Sequence, residues 1–115
     1  MTKKERPDFL TGKTYKERVA CGNLYVTINF LDDKPYEIFV DGSKEGTCRS
    51  NLEGLGRALT LCVRHAVPIS EIVDQIGRIR CPACFTQKGK ESDVNKKREM
   101  PWSCPDAIAK ILSRL

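Results

Sequence analysis

The stretch NLYVTINFLDDKPYEIFV, residues 23–40, decides the fold class. Leu24, Val26, Ile28 and Phe30 alternate with Tyr25, Thr27 and Asn29, and the alternation resumes through Tyr36, Ile38 and Val40. A period of two puts one aliphatic face of each segment on a core and turns the other to solvent, which is the pattern of paired strands. Between them Asp32 to Pro35 carry turn chemistry. Pro35 pre-sets its own φ, and the carboxylates of Asp32 and Asp33 can accept from nearby amides. Working backward, KTYKERVA (13–20) reads as a third strand. It is joined by a tight turn at Cys21-Gly22-Asn23, where Gly and Asn tolerate positive φ.

Working forward, the period changes to 3.6 at Ser50. Leu52, Leu55, Leu59, Cys62, Val63 and Ala66 fall on one stripe, and Ser50 with Glu53 forms a capping-box pattern, so a helix is expected from there to about His65. After Pro68, ISEIVDQIG predicts a shorter helix with Ser70 as its cap, Ile72, Val73 and Ile76 inward, and Gly77 as terminator. Residues 85–101 have no periodicity and read as a long loop, which is uncommon in a small domain unless its ends are tied down. The closing SCPDAIAKILSRL is a helix with Ser103 as cap, Pro105 in the first turn and Asp106 at the positive end of the dipole. Ala107, Ile108, Ile111, Leu112 and Leu115 give its buried face. The expected architecture is α+β: a small antiparallel β-meander packed against about three helices. It forms one domain over residues 13–115, preceded by an N-terminal tail, 1–12.

The 115 residues suffice for one modest core. Apolar runs are too short to span a bilayer, and MTKKERPDFL has no apolar segment of a secretory signal, so a cytoplasmic location is expected. The net charge of +5 raises the question of nucleic acid. Its basic clusters, Lys3, Lys4, Arg6 and then Lys88, Lys90, Lys96, Lys97 and Arg98, lack interleaved aromatics, and the second is diluted by Glu91, Asp93 and Glu99. A solvated loop accounts for it.

Six cysteines in a reducing compartment point to metal ligands, buried thiols or a redox pair rather than to disulfides. Cys81-Pro82-Ala83-Cys84 makes a short chelate, Cys21 lies in a turn, and Cys104 opens a helix whose dipole favours thiolate. Four thiolates suit one zinc ion, which would clasp both ends of the 85–101 loop. An iron–sulfur centre is the other four-thiolate option. Cys48, just ahead of the long helix, competes with Cys21 for the fourth place, while Cys62 lies on the apolar stripe and reads as a core thiol. Cys81 and Cys84 also have thioredoxin-like spacing, yet a loop follows them where that chemistry needs a helix. His65 is the single histidine. It reads as a cation at a helix C-terminus, and no catalytic constellation or phosphate-binding glycine loop is evident.

Four blocks, CGNLYVTIN, NLEGLGRALTLCVRHAVP, IRCPAC and SCPDAIAKIL, together resemble the TSCPD domain found toward the C-terminus of adenosylcobalamin-dependent (class II) ribonucleotide reductases, over about residues 11–115. The resemblance implies a small α+β domain with metal-binding cysteines, and it places Cys21, Cys48, Cys81, Cys84 and Cys104 on family cysteines but not Cys62. The chain departs from the pattern at Trp102-Ser103, where the motif opens with Thr, and at GSKEG (42–46), where the family has GKSGG. Neither the catalytic barrel with its radical cysteine and cobalamin site nor the cysteine-bearing tail has a counterpart here. The resemblance therefore implies an accessory module that docks to a reductase or another nucleotide-metabolism protein and does not reduce ribonucleotides alone. Two other classes remain open: a nucleic-acid-binding zinc module using Lys88 to Arg98, and a small thiol redox protein.

Overall fold

A computed structural model describes residues 6–42, 47–82, 84 and 100–115. The expected loop at 85–101, for all but its last two residues, and the basic cluster from Lys88 to Arg98 lie outside them. So do Lys3, Lys4 and the GSKEG stretch after Gly42.

The alternating segments form a three-stranded antiparallel meander in the order β1 (Thr11–Val19), β2 (Gly22–Leu31), β3 (Lys34–Gly42). Leu24, Val26 and Ile28 on the central strand are fully buried, as is Ile38 beside them on β3. Burying each such aliphatic side chain stabilises by about 1.5–3 kcal/mol, so the inner face of this sheet is the foundation of the core.

Both hairpin turns differ in detail from the sequence reading. In the first, Val19 pairs with Gly22, so the turn is Ala20-Cys21 and Cys21 stands at its tip. Gly22 adopts φ 131°, a conformation closed to side-chain-bearing residues, and that is why the glycine follows the tip. In the second, Asp32 and Asp33 both take left-handed backbone (φ 52° and 64°), giving the two-residue turn whose twist matches the strands. Pro35 already lies in β3 opposite Phe30, next to a bulge at Asn29/Phe30. An edge strand tolerates proline because no ladder donor is missed there.

Helix α1 (Thr47–Arg64) lies along the free edge of β3. The Thr60 hydroxyl bonds both backbone groups of Ile38, accepting from its amide and donating to its carbonyl, each at 2.9 Å. At Gly56 a Cβ would stand 3.3 Å from the Ile38 carbonyl and the Val40 amide, so the missing side chain sets how close the helix comes. The helix covers an edge that would otherwise be open to pairing with another strand. It begins three residues earlier than the capping-box pattern predicts. Ser50 is therefore inside the helix, and Glu53 pairs forward with Arg57 at 3.1 Å instead of reaching back. Leu52, Leu59 and Val63 are buried as expected, whereas Ala66 is exposed in a left-handed turn past the helix end.

Helix α2 (Ile69–Ile76) starts one residue ahead of Ser70. Pro68 is its N-cap, with no side-chain cap, and its carbonyl accepts from Glu71 and Ile72. Helix α3 (Cys104–Leu112) packs against α2 and the inner face of β1 and β2, burying Ala107, Ile108, Ile111 and Leu112. Leu115 is 45% exposed, because the helix and its periodicity stop at Leu112.

Candidate metal centre

Three separate segments meet where the sequence places its cysteines. Cys21 stands on the β1–β2 turn, Cys81 and Cys84 follow α2, and Cys104 is the first residue of α3. The segments are stitched by backbone and by one carboxylate. The Cys81 amide donates to the Trp102 carbonyl at 2.9 Å. Asp106, only 4% exposed, accepts from the Arg78 amide with Oδ1 (2.8 Å) and from the Trp102 amide with Oδ2 (2.9 Å). Its own amide donates to the Ser103 hydroxyl at 3.0 Å, so the predicted cap at Ser103 is present. The Arg80 guanidinium lies over the Trp102 ring, 5.2 Å from its centre.

The bridging by Asp106 is absent from the sequence reading, which gave that residue a dipole role. The signal available was the S-x-x-D spacing of a capping box. Here the carboxylate passes over the cap residue to reach the segment that carries Cys81.

None of the six cysteines is in a disulfide. Cys84 is 2% exposed and part of the core, with Cys81 and Cys104 partly buried against it. The Cys81 and Cys84 side chains hydrogen-bond to each other, and the Ala20 backbone, beside Cys21, bonds the Cys84 thiol. Burial pushes the Cys84 thiol up, with further repulsion from Cys81 and Cys21. Cys104 is pushed up to about 11, first by burial and then by repulsion from Cys84, Cys21, Cys81 and Cys48. Five thiols thus share one end of the molecule, Cys48 reaching it from the first turn of α1.

Among the described residues, no three Cys, His, Asp or Glu side chains are set as ligands to a metal ion. Cys62 stays apart, in a groove between α1 and α2 with Leu59, Val67, Ile72 and Ile76, and is half-buried where the sequence predicts a core thiol. His65 is exposed at the end of α1.

No helix among the described residues is long and apolar enough to cross a membrane. The chain is 30% identical over 108 residues to a vitamin B12-dependent ribonucleotide reductase of Rhodopirellula baltica (strain DSM 10527 / NCIMB 13988 / SH1). That match covers 92% of this chain and 10% of the reductase, so the chain spans about a tenth of the length of this curated relative. No solved structure matches it. The family model for the TSCPD domain matches residues 1–115, so the chain belongs to the TSCPD domain family.

Proposed function

We propose that this chain is a zinc-binding TSCPD module accessory to ribonucleotide reduction, one that docks to a reductase or another nucleotide-metabolism protein and does not catalyse the reduction alone. The observation that carries the link is the span of the similarity, nearly all of this chain against a tenth of a ribonucleotide reductase. What the two share is this module, and the rest of the reductase has no counterpart in it.

Zinc is supported by the chemistry of the donors. They are all thiols, they come from segments remote in sequence, and their thiolates repel one another, a penalty that a soft divalent cation reverses. Cys81, Cys84, Cys104 and Cys21 would hold the ion, with Cys48 as the alternative to Cys21. Bound there, zinc supplies a four-thiolate cross-link and no open position for water. The remaining work falls to the protein: Asp106 and the Cys81 amide keep two ligand segments together, and the Ala20 backbone steadies the Cys84 sulfur.

Elemental analysis of protein purified without added metal tests the ion. One zinc per chain in colourless solution is the expected result. A brown protein containing iron would replace zinc by an iron–sulfur centre, and a metal-free protein with a Cys81–Cys84 disulfide would favour thiol redox chemistry. Affinity purification from the native host tests the docking, and recovery of no reductase or nucleotide enzyme overturns it.

A further inference from the structure

The outer face of the sheet, opposite the core, carries two exposed aromatics. Tyr25 is 39% and Phe39 is 52% exposed. Tyr25 pairs with Asp41 and Thr27 with Phe39, so the two rings are diagonal neighbours on adjacent strands, with Cβ atoms about 7 Å apart. Lys16 stands directly across from Tyr25 on β1, and Arg18 is the next residue on that face. Both are exposed.

Beyond Phe39 the face runs into a groove of about 550 Å³ between β3 and α1. The helix lines it with Arg49, Arg57 and Arg64, and with Leu61, which is 61% exposed. At a rise of 1.5 Å per residue the three arginines extend along about 22 Å. The acidic groups nearby are largely answered. Glu53 pairs with Arg57, and Glu37 is buried beneath Arg6 and Arg64, leaving Asp41 at one end of the groove.

We propose that this face and groove bind single-stranded nucleic acid, with bases stacked on Tyr25 and Phe39 and the phosphate backbone following Arg49 and Arg57 and reaching Lys16 across the sheet. Stacking platforms beside a basic track are the general solution for single strands, because every base has a π-face and every nucleotide a phosphate. The spread of the arginines favours a polymer over a free nucleotide. A triphosphate needs cations converging on one point, whereas Arg49 and Arg57 lie about two turns apart on α1 and Lys16 lies on β1. Duplex is disfavoured because its bases are stacked inside and unavailable to the rings. The net charge of +5 matches a polyanion. The proposal uses none of the cysteines, so its test and that of the zinc module stand or fall independently.

Fluorescence anisotropy with labelled oligothymidylate and oligouridylate of about twelve nucleotides tests the proposal, with a duplex of equal length, dTTP and polyglutamate as competitors. Single strands should bind, duplex and dTTP should compete poorly, and affinity should fall with salt at a log–log slope of about −2, for three neutralised phosphates. Phe39→Ala and Tyr25→Ala should each weaken binding about tenfold with the slope unchanged. The pair Arg49→Glu and Arg57→Glu should weaken it further and flatten the slope. These positions are exposed, so the variants should fold, and unchanged circular dichroism and thermal midpoints check that they do. Three results overturn the proposal: no binding at about 50 mM salt, binding lost on reversing Lys96 and Lys97 but not in the aromatic variants, or polyglutamate competing as well as the oligonucleotides. The last would make the groove a docking site for an acidic protein.

Discussion

Two polar clusters sit toward opposite ends of the sheet, and they solve burial in opposite ways. Around Glu37, 3% exposed, the chain supplies its own counter-charges. Arg6 donates to both carboxylate oxygens (2.7 and 3.1 Å), Arg64 donates at 3.0 Å and Asn29 at 3.0 Å, while the Arg64 guanidinium also lies 4.7 Å from the centre of the Tyr36 ring. Hydrogen bonding from Arg6 holds the Glu37 carboxyl below its ordinary value against the opposing effect of burial, with Asn29 and the two arginine charges adding to it. At the other end, beside the β1–β2 turn, the gathered groups are alike, and the Cys84 and Cys104 thiols are raised first by burial and then by repulsion from neighbouring cysteines. One cluster is complete within the chain. The other brings together thiols from separate segments, and the predictions below test whether it is the zinc site proposed above.

The sharpest way to break this contrast is to remove the proposed zinc ion. Chelation of the zinc-loaded protein, or Cys84→Ser, is expected to cost about 3 kcal/mol or more, on the order of 10–20 °C in Tm by calorimetry. A Tm unchanged by chelation would mean that the cysteine end is as self-sufficient as the Glu37 end.

Next comes Glu37→Ala, which strands two guanidinium groups and an amide and should cost about 2–3 kcal/mol by urea denaturation, with zinc content intact. The same residue has a pH signature. Its folded pKa lies below the ordinary 4.5, so the unfolded chain binds the proton more readily, and stability rises with pH across that interval. The contribution is present above 4.5 and is lost as pH falls through the lower folded value. Urea midpoints measured from about pH 3 to 7 should show that limb in the native protein and a flatter one in Glu37→Gln.

A smaller effect tests whether Asp106 supports the proposed zinc site. Asp106→Asn keeps one acceptor oxygen where two backbone amides need one each, and should cost about 1–2 kcal/mol. Because the carboxylate holds together the segments bearing Cys81 and Cys104, zinc affinity should also fall about tenfold in competition with a chelator. Lost stability with unchanged affinity would reduce Asp106 to a helix cap. The smallest change is Cys62→Ala, expected to cost under about 1 kcal/mol and to leave metal content as it was, since that thiol is half-buried away from the cluster.

The sheet was legible because alternation is a local signal. Leu24, Val26 and Ile28 have to face one way once the segment is extended, and burial of that face fixes the register. Helix ends were harder to read. Ser50 with Glu53 and the lone Ser70 look like caps, but nothing before either residue stops the helix from starting earlier. The cysteines could be named but not assembled from sequence, because chelate spacing reports on Cys81 and Cys84 and says little about which distant thiol lies beside them. Glu37 gave no signal at all. An acidic residue on the alternating outer face reads as solvated, and its partners Arg6, Asn29 and Arg64 come from the N-terminal segment, another strand and a helix.

By itself, then, the sequence determined the α+β class, the meander, the helices α1, α2 and α3 and the list of candidate thiols, because each follows from periodicity or residue chemistry within one segment. Only the tertiary structure decided that Asp106 ties Arg78 to Trp102, that α1 seals the edge of β3, and that Tyr25 and Phe39 share a face with the arginines of α1. These are contacts between segments far apart along the chain, and their geometry is set by the shared core that draws the segments together.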